Sequence, residues 1–80
     1  MGDEKKITKK YFEETKAKAE KGNKIAQFFL GMMYDNGEGV LEDDKKAVKW
    51  YHKAADQGDV NAQYNLGWMY YYGRGVEQDF

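Results

Sequence analysis

Displacing the 80-residue chain by 36 positions against itself brings IAQFFLGMMYDNGEGVLED, from Ile25, onto NAQYNLGWMYYYGRGVEQD, from Asn61. Ala26, Gln27, Leu30, Gly31, Met33, Tyr34, Gly37, Gly39, Val40 and Asp43 each meet an identical residue. The same shift sets Gly22 on Gly58, Ala19 on Ala55, and Lys9 and Lys10 on Lys45 and Lys46. So many identities at one offset exclude coincidence. A repeat of about 20 to 50 residues marks a solenoid, because each unit leaves an apolar face that only its neighbour covers.

Within each unit the apolar residues fall at the three- and four-residue spacing of a helix. Ala26, Leu30, Met33 and Tyr34 form one such stripe, and Ala62, Leu66, Met69 and Tyr70 the next. These are A helices. A second type, the B helix, runs from about Asp44 to Gln57, with Ala47, Val48, Tyr51, Ala54 and Ala55 on one face and Lys46, Lys49, Lys53 and Asp56 on the other. The stretch from about Ile7 to Lys21 aligns with it and presents Ile7, Tyr11, Phe12, Thr15 and Ala19 on one side. The order B, A, B, A predicts an all-α chain, an α/α superhelical solenoid of antiparallel helix pairs. Gly22 and Gly58 follow the last B-helix residues, and Gly37, Gly39, Gly73 and Gly75 turn each A helix into its loop. Asp43 is placed to cap the B helix, with Glu42 and Asp44 complementing its dipole. Gly31 and Gly67 interrupt A helices at about 1 kcal/mol each relative to Ala, a cost that a closely packed neighbouring helix explains.

Composition narrows the function. The chain has no Cys, Ser or Pro. Without Cys there is no disulfide framework or thiolate metal site, and nothing ties the chain to an oxidising compartment. Thr8 and Thr15 are poor substitutes for the missing nucleophiles, lying on lysine-rich helix with no adjacent histidine. Glu38 and Glu42 read as solvated loop acids rather than a catalytic pair, so no catalytic residue is assigned. His52 has no second His or Cys near it in sequence, and Glu42, Asp43 and Asp44 are more simply cap and dipole partners than metal ligands. DNGEG, from Asp35, fails the calcium-loop pattern at its third, fifth and sixth positions, and GEG and GRG lack the rest of a dinucleotide fingerprint. No metal or cofactor is expected. The net charge of −1 divides into an N-terminal 24 residues with eight Lys against five acids, and a remainder with five basic residues against nine acids. That acidic body argues against nucleic acid, which calls for a basic face. No apolar run approaches the roughly 20 residues of a membrane span, and the Lys-rich start has no signal-peptide core. The reading favours a soluble, cytoplasmic chain.

The complete unit, with Ala26, Leu30-Gly31 and Tyr34, the loop GEGV followed by Asp43, and KAVKWYHKAADQG from Lys46 to Gly58, resembles the Sel-one-like repeat, a relative of the tetratricopeptide repeat. On that resemblance residues 1–24 are a B-type capping helix, 25–60 a complete repeat and 61–80 a partial second one. Two departures stand out. Glu14 and Thr15 replace Trp50 and Tyr51 in the first B-type helix, as suits a solvent-facing cap, and the second unit ends before its own B helix, as in a piece of a longer array. The resemblance implies a non-enzymatic scaffold that holds a peptide or partner domain on the concave face of its A helices. The residues it assigns to that face are Phe28, Met32, Asp35, Tyr64, Asn65, Trp68, Tyr71 and Tyr72. Aromatic anchors beside a few polar groups are what interface hot spots are made of. The alternative is a self-associating repeat whose uncapped C-terminal end drives oligomerisation.

Overall fold

A computed structural model describes residues 2–76, and of residues 2–8 the backbone alone. Four helices follow one another, α1 (Gly2–Glu20), α2 (Lys24–Asn36), α3 (Asp44–Asp56) and α4 (Val60–Tyr72), with no strand among the described residues. Each helix packs on the next in chain order, α1 on α2, α2 on α3 and α3 on α4, giving a body of 42 × 23 × 15 Å. This is the solenoid that the repeat predicts.

Polar caps set the helix ends. The Asp43 side chain accepts from the Lys46 N–H at 3.1 Å, as expected. Asn23 and Asp59, one repeat apart, do the same for α2 and α4, accepting from Ala26 at 2.9 Å and Ala62 at 2.8 Å. At the other ends Gly37 and Gly73 take positive φ of 71° and 66°, and each donates its N–H back to its own helix. α1 starts at Gly2, ahead of the Ile7 at which apolar periodicity begins. Lys and Glu favour helix without needing an apolar stripe, so periodicity carries no signal there. Ile7 lies outside the described side chains.

The core runs along the helix interfaces, with Leu30, Tyr51 and Met69 fully enclosed and Ala26, Tyr34, Ala47, Val48, Ala54 and Ala62 around them. One hydrogen bond repeats with the sequence: Gln27 Nε2 donates to the Ala19 carbonyl at 3.1 Å, and Gln63 Nε2 to the Ala55 carbonyl at 3.2 Å. Tyr11, read as inward-facing, is half exposed. It occupies the position of Ala47 in α3, which packs between α2 and α4, whereas α1 packs chiefly on α2 among the described residues.

The two helical glycines differ. A Cβ on Gly31 would stand 2.5 Å from Cδ1 of Tyr51, so the Tyr51 ring lies directly on the α2 backbone. A Cβ on Gly67 would meet nothing within 4 Å. The expectation of a close neighbour holds for the first and fails for the second, because no described helix covers that side of α4. Urea denaturation of Gly31→Ala should therefore show a loss of about 1–3 kcal/mol, from overpacking. Gly67→Ala should gain about 0.5–1 kcal/mol, from helix propensity alone.

Candidate protein-docking face

Tyr51 joins three helices. Its ring covers Gly31, with the Phe28 ring centroid 6.0 Å away. Its hydroxyl donates to Asp35 Oδ2 at 3.1 Å and accepts from Asn65 Nδ2 at 3.4 Å. Arg74 extends the network, its Nη2 reaching Asp35 Oδ1 at 2.6 Å and Asp44 Oδ1 at 3.0 Å. Beside it a Cβ on Gly75 would stand 2.5 Å from the Asp44 backbone, so the turn after α4 rests against the start of α3.

This network places four of the eight sequence-assigned residues inside the array. Phe28 and Met32 are half-buried against the core, Asp35 is held by Tyr51 and Arg74, and Asn65 points at the Tyr51 hydroxyl. The other four come together on α4. Trp68 stacks on Tyr72 with centroids 5.3 Å apart and planes within 8°, and meets Tyr64 and Tyr71 edge-on at 6.1 Å each. Tyr71 in turn packs edge-on against Tyr72 at 5.0 Å. Despite these contacts Tyr64, Trp68, Tyr71 and Tyr72 remain 65%, 44%, 49% and 58% exposed. With Gly67 they line an apolar hollow of about 350 Å³.

The repeat explains the division. Phe28, Gly31, Met32 and Asp35 correspond to Tyr64, Gly67, Trp68 and Tyr71. The first set is the side of α2 that α3 covers. The second is the same side of α4, on which no described helix lies. The remaining conspicuous groups are internally engaged. His52 Nε2 lies 2.8 Å from the Tyr70 hydroxyl, and Trp50 is buried beneath Lys49 and Lys53, whose ammonium groups stand 5.3 and 5.8 Å from its ring centre. Among the described residues no cluster of three or more His, Cys, Asp or Glu could hold a metal ion, and no helix is long and apolar enough to cross a membrane.

Sequence reasoning did not find a second hollow, of about 260 Å³, between α1 and α2, lined by Tyr11, Thr15, Ile25 and Phe29 with Glu14 and Lys18 beside them. Its signal was the alignment of Thr15 with Tyr51. Where the later junction has an aromatic ring, the earlier one has a small side chain.

Burial pushes the Tyr51 phenol well above the ordinary tyrosine range; the Asn65 hydrogen bond opposes this and the Asp35 charge adds to it. The unfolded chain releases this proton near pH 10 and the folded chain does not. Tyr51's contribution is thus complete below about pH 10 and falls above it, by up to about 1.4 kcal/mol per pH unit. Chemical denaturation at pH 9 to 11.5 should show this decline, and Tyr51→Phe, less stable at neutral pH, should show a shallower one.

The Sel1 repeat profile matches residues 24–59 and 60–80. Among solved structures, a Sel1 repeat protein from Oxalobacter formigenes shares 44% identity and a TM-score of 0.75, over 76% of this chain and 18% of that one. The protein c5321, a protective antigen of uropathogenic Escherichia coli with an SLR fold, shares 49% identity and a TM-score of 0.87, over 89% of this chain and 15% of that one. The chain therefore spans less than a fifth of either. Comparison with curated proteins gave no match.

Proposed function

This chain belongs to the Sel1 repeat family, whose repeats generally serve as protein–protein interaction modules, and we propose that it is a non-catalytic module that binds a protein partner through α4. The observation that carries this reading is the Tyr64, Trp68, Tyr71 and Tyr72 face around Gly67, whose counterpart on α2 is covered by a helix. Contiguous aromatic surface of this kind marks interaction sites in soluble proteins, and Trp and Tyr are the residues most enriched among interface hot spots. Asp35 and Asn65 support the site from behind by fixing Tyr51, and through it the spacing of α2, α3 and α4. Phe28 and Met32 act in the same supporting role, as packing partners of the core.

Trp68→Ala tests this directly. Trp68 is half exposed, so far-UV circular dichroism should be unchanged and stability should shift by no more than about 1 kcal/mol. Photo-crosslinking from a probe placed beside α4, in cell lysate, should lose its protein adducts in this variant and in Tyr64→Ala and Tyr71→Ala. An adduct pattern indifferent to all three substitutions would remove α4 as the binding surface.

A further inference from the structure

Asn36 and Gly37, inside the DNGEG stretch at the end of α2, take no part in the α4 face, yet they form a chemically reactive pair. The chain has four asparagines, and Asn36 alone is followed by glycine, since Asn23, Asn61 and Asn65 precede Lys24, Ala62 and Leu66. With no Cβ on Gly37, its backbone nitrogen can reach the Asn36 side-chain carbon unhindered. Both residues are exposed, and Asn36 is the last residue of α2.

The helix cap holds the two groups apart. Gly37, at a φ of 71°, donates its N–H to the Met33 carbonyl, and Glu38 donates to the same oxygen at 2.9 Å. The Asn36 amide is engaged as well, its Nδ2 donating to Glu38 Oε1 at 3.1 Å. A five-membered ring through Asn36 Cγ and Gly37 N closes only when that nitrogen eclipses the Asn36 Cβ, a rotation of about 80° from helical ψ. Such a rotation carries the Gly37 N–H away from Met33. Ring closure and the cap therefore exclude each other.

We propose that Asn36 is a covalent modification site, at which the side-chain amide is lost as ammonia when the C-terminal cap of α2 opens. The Gly37 amide gives its proton to hydroxide, and its nitrogen attacks Asn36 Cγ to form the new N–C bond of a succinimide. The bond from Cγ to Nδ2 breaks, and the nitrogen leaves as ammonia after taking a proton from water. Water then adds to either ring carbonyl and opens the ring, leaving an aspartyl or an isoaspartyl link at position 36. One water is consumed and one ammonia released. Nothing is oxidised or reduced, and solvent is the only co-reactant.

The change runs one way, because neither product rebuilds the cap. An aspartyl carboxylate would face Glu38 where an amide now donates to it, at the helix end where negative charge is unfavourable. An isoaspartyl link adds a methylene to the main chain just before Gly37, which shifts the Gly37 and Glu38 N–H groups off the Met33 carbonyl. Asp35, one residue earlier, stays held by Tyr51 and Arg74, so the disturbance is confined to the end of α2. The result is a loosened start to the loop that joins α2 to α3, with the contact between the two helices kept.

Incubation of the whole chain at mildly alkaline pH, in buffer and in guanidinium chloride beyond its unfolding transition, tests this. Peptide mass spectrometry and enzymatic methylation of isoaspartate locate the products. Position 36 should convert in both, roughly tenfold or more slowly in buffer, because the reaction waits for local opening. Asn36→Gln should stay unconverted over the same period, since its longer side chain closes a six-membered ring less readily. The converted chain, and Asn36→Asp, should exchange the Gly37 and Glu38 amide hydrogens faster than the unmodified chain, with circular dichroism unchanged. Equal rates in buffer and denaturant would overturn gating by the cap. An Asn36 that stays intact in the folded chain while the unfolded chain converts would overturn the site itself. Conversion that leaves amide exchange unaltered would overturn the loosened loop.

Discussion

Tyr51 lying on the backbone of Gly31 is the contact around which the array is built. The absence of a side chain at Gly31 lets α3 approach α2 closely enough for an aromatic ring to rest directly on the helix backbone. The ring's far end then reaches a carboxylate on α2 and an amide on α4, so one side chain sets the spacing of three helices. A chain of this length buries only a modest share of its surface, and Tyr51 is among the largest of its fully enclosed side chains. Arg74 adds a second tie between the same regions, bridging the acids of α2 and α3 from the turn after α4. Its guanidinium is substantially exposed, so it contributes alignment more than stability.

The fold was legible because the repeat imposes the same demand twice. Ala26, Leu30 and Met33 recur as Ala62, Leu66 and Met69. The caps at Asn23 and Asp59 follow the same spacing, and the Gln27 and Gln63 bonds show that even polar contacts are copied. What periodicity could not give was the sidedness of each A helix. Phe28, Met32 and Asp35 lie off the stripe of Leu30 and Met33, yet α3 covers them from a second side. An A helix inside the array is flanked by two B helices, and a single stripe of 3.6-residue period reports only one of them. Hence the same three positions read as surface in both helices, and are so only in α4.

The substitutions that break the repeat carry the functional information. A solenoid unit identical to its neighbour says only that the array continues. A position where the repeat fails says that its surroundings differ. Thr15 against Tyr51 leaves a hollow, and Trp68 and Tyr72 against Met32 and Asn36 supply ring surface where the interior junction needs none. Both sets of departures fall at the two ends of the described helices and none at the α2 to α3 contact.

A helix face that remains in water is expected to carry charge rather than aromatic rings. α4 does the reverse. Moving from α2 to α4, the helix loses the carboxylate of Asp35 and the amide of Asn36 and gains two phenol rings and an indole, which pack mainly on one another. Rings that stack among themselves while half exposed lose side-chain freedom without being fully removed from water. That ordering is largely complete before any partner arrives, so a docking partner gains the remaining burial at reduced entropic cost. On the proposed reading the aromatic row of α4 is a preformed hot spot, ordered by its own ring contacts.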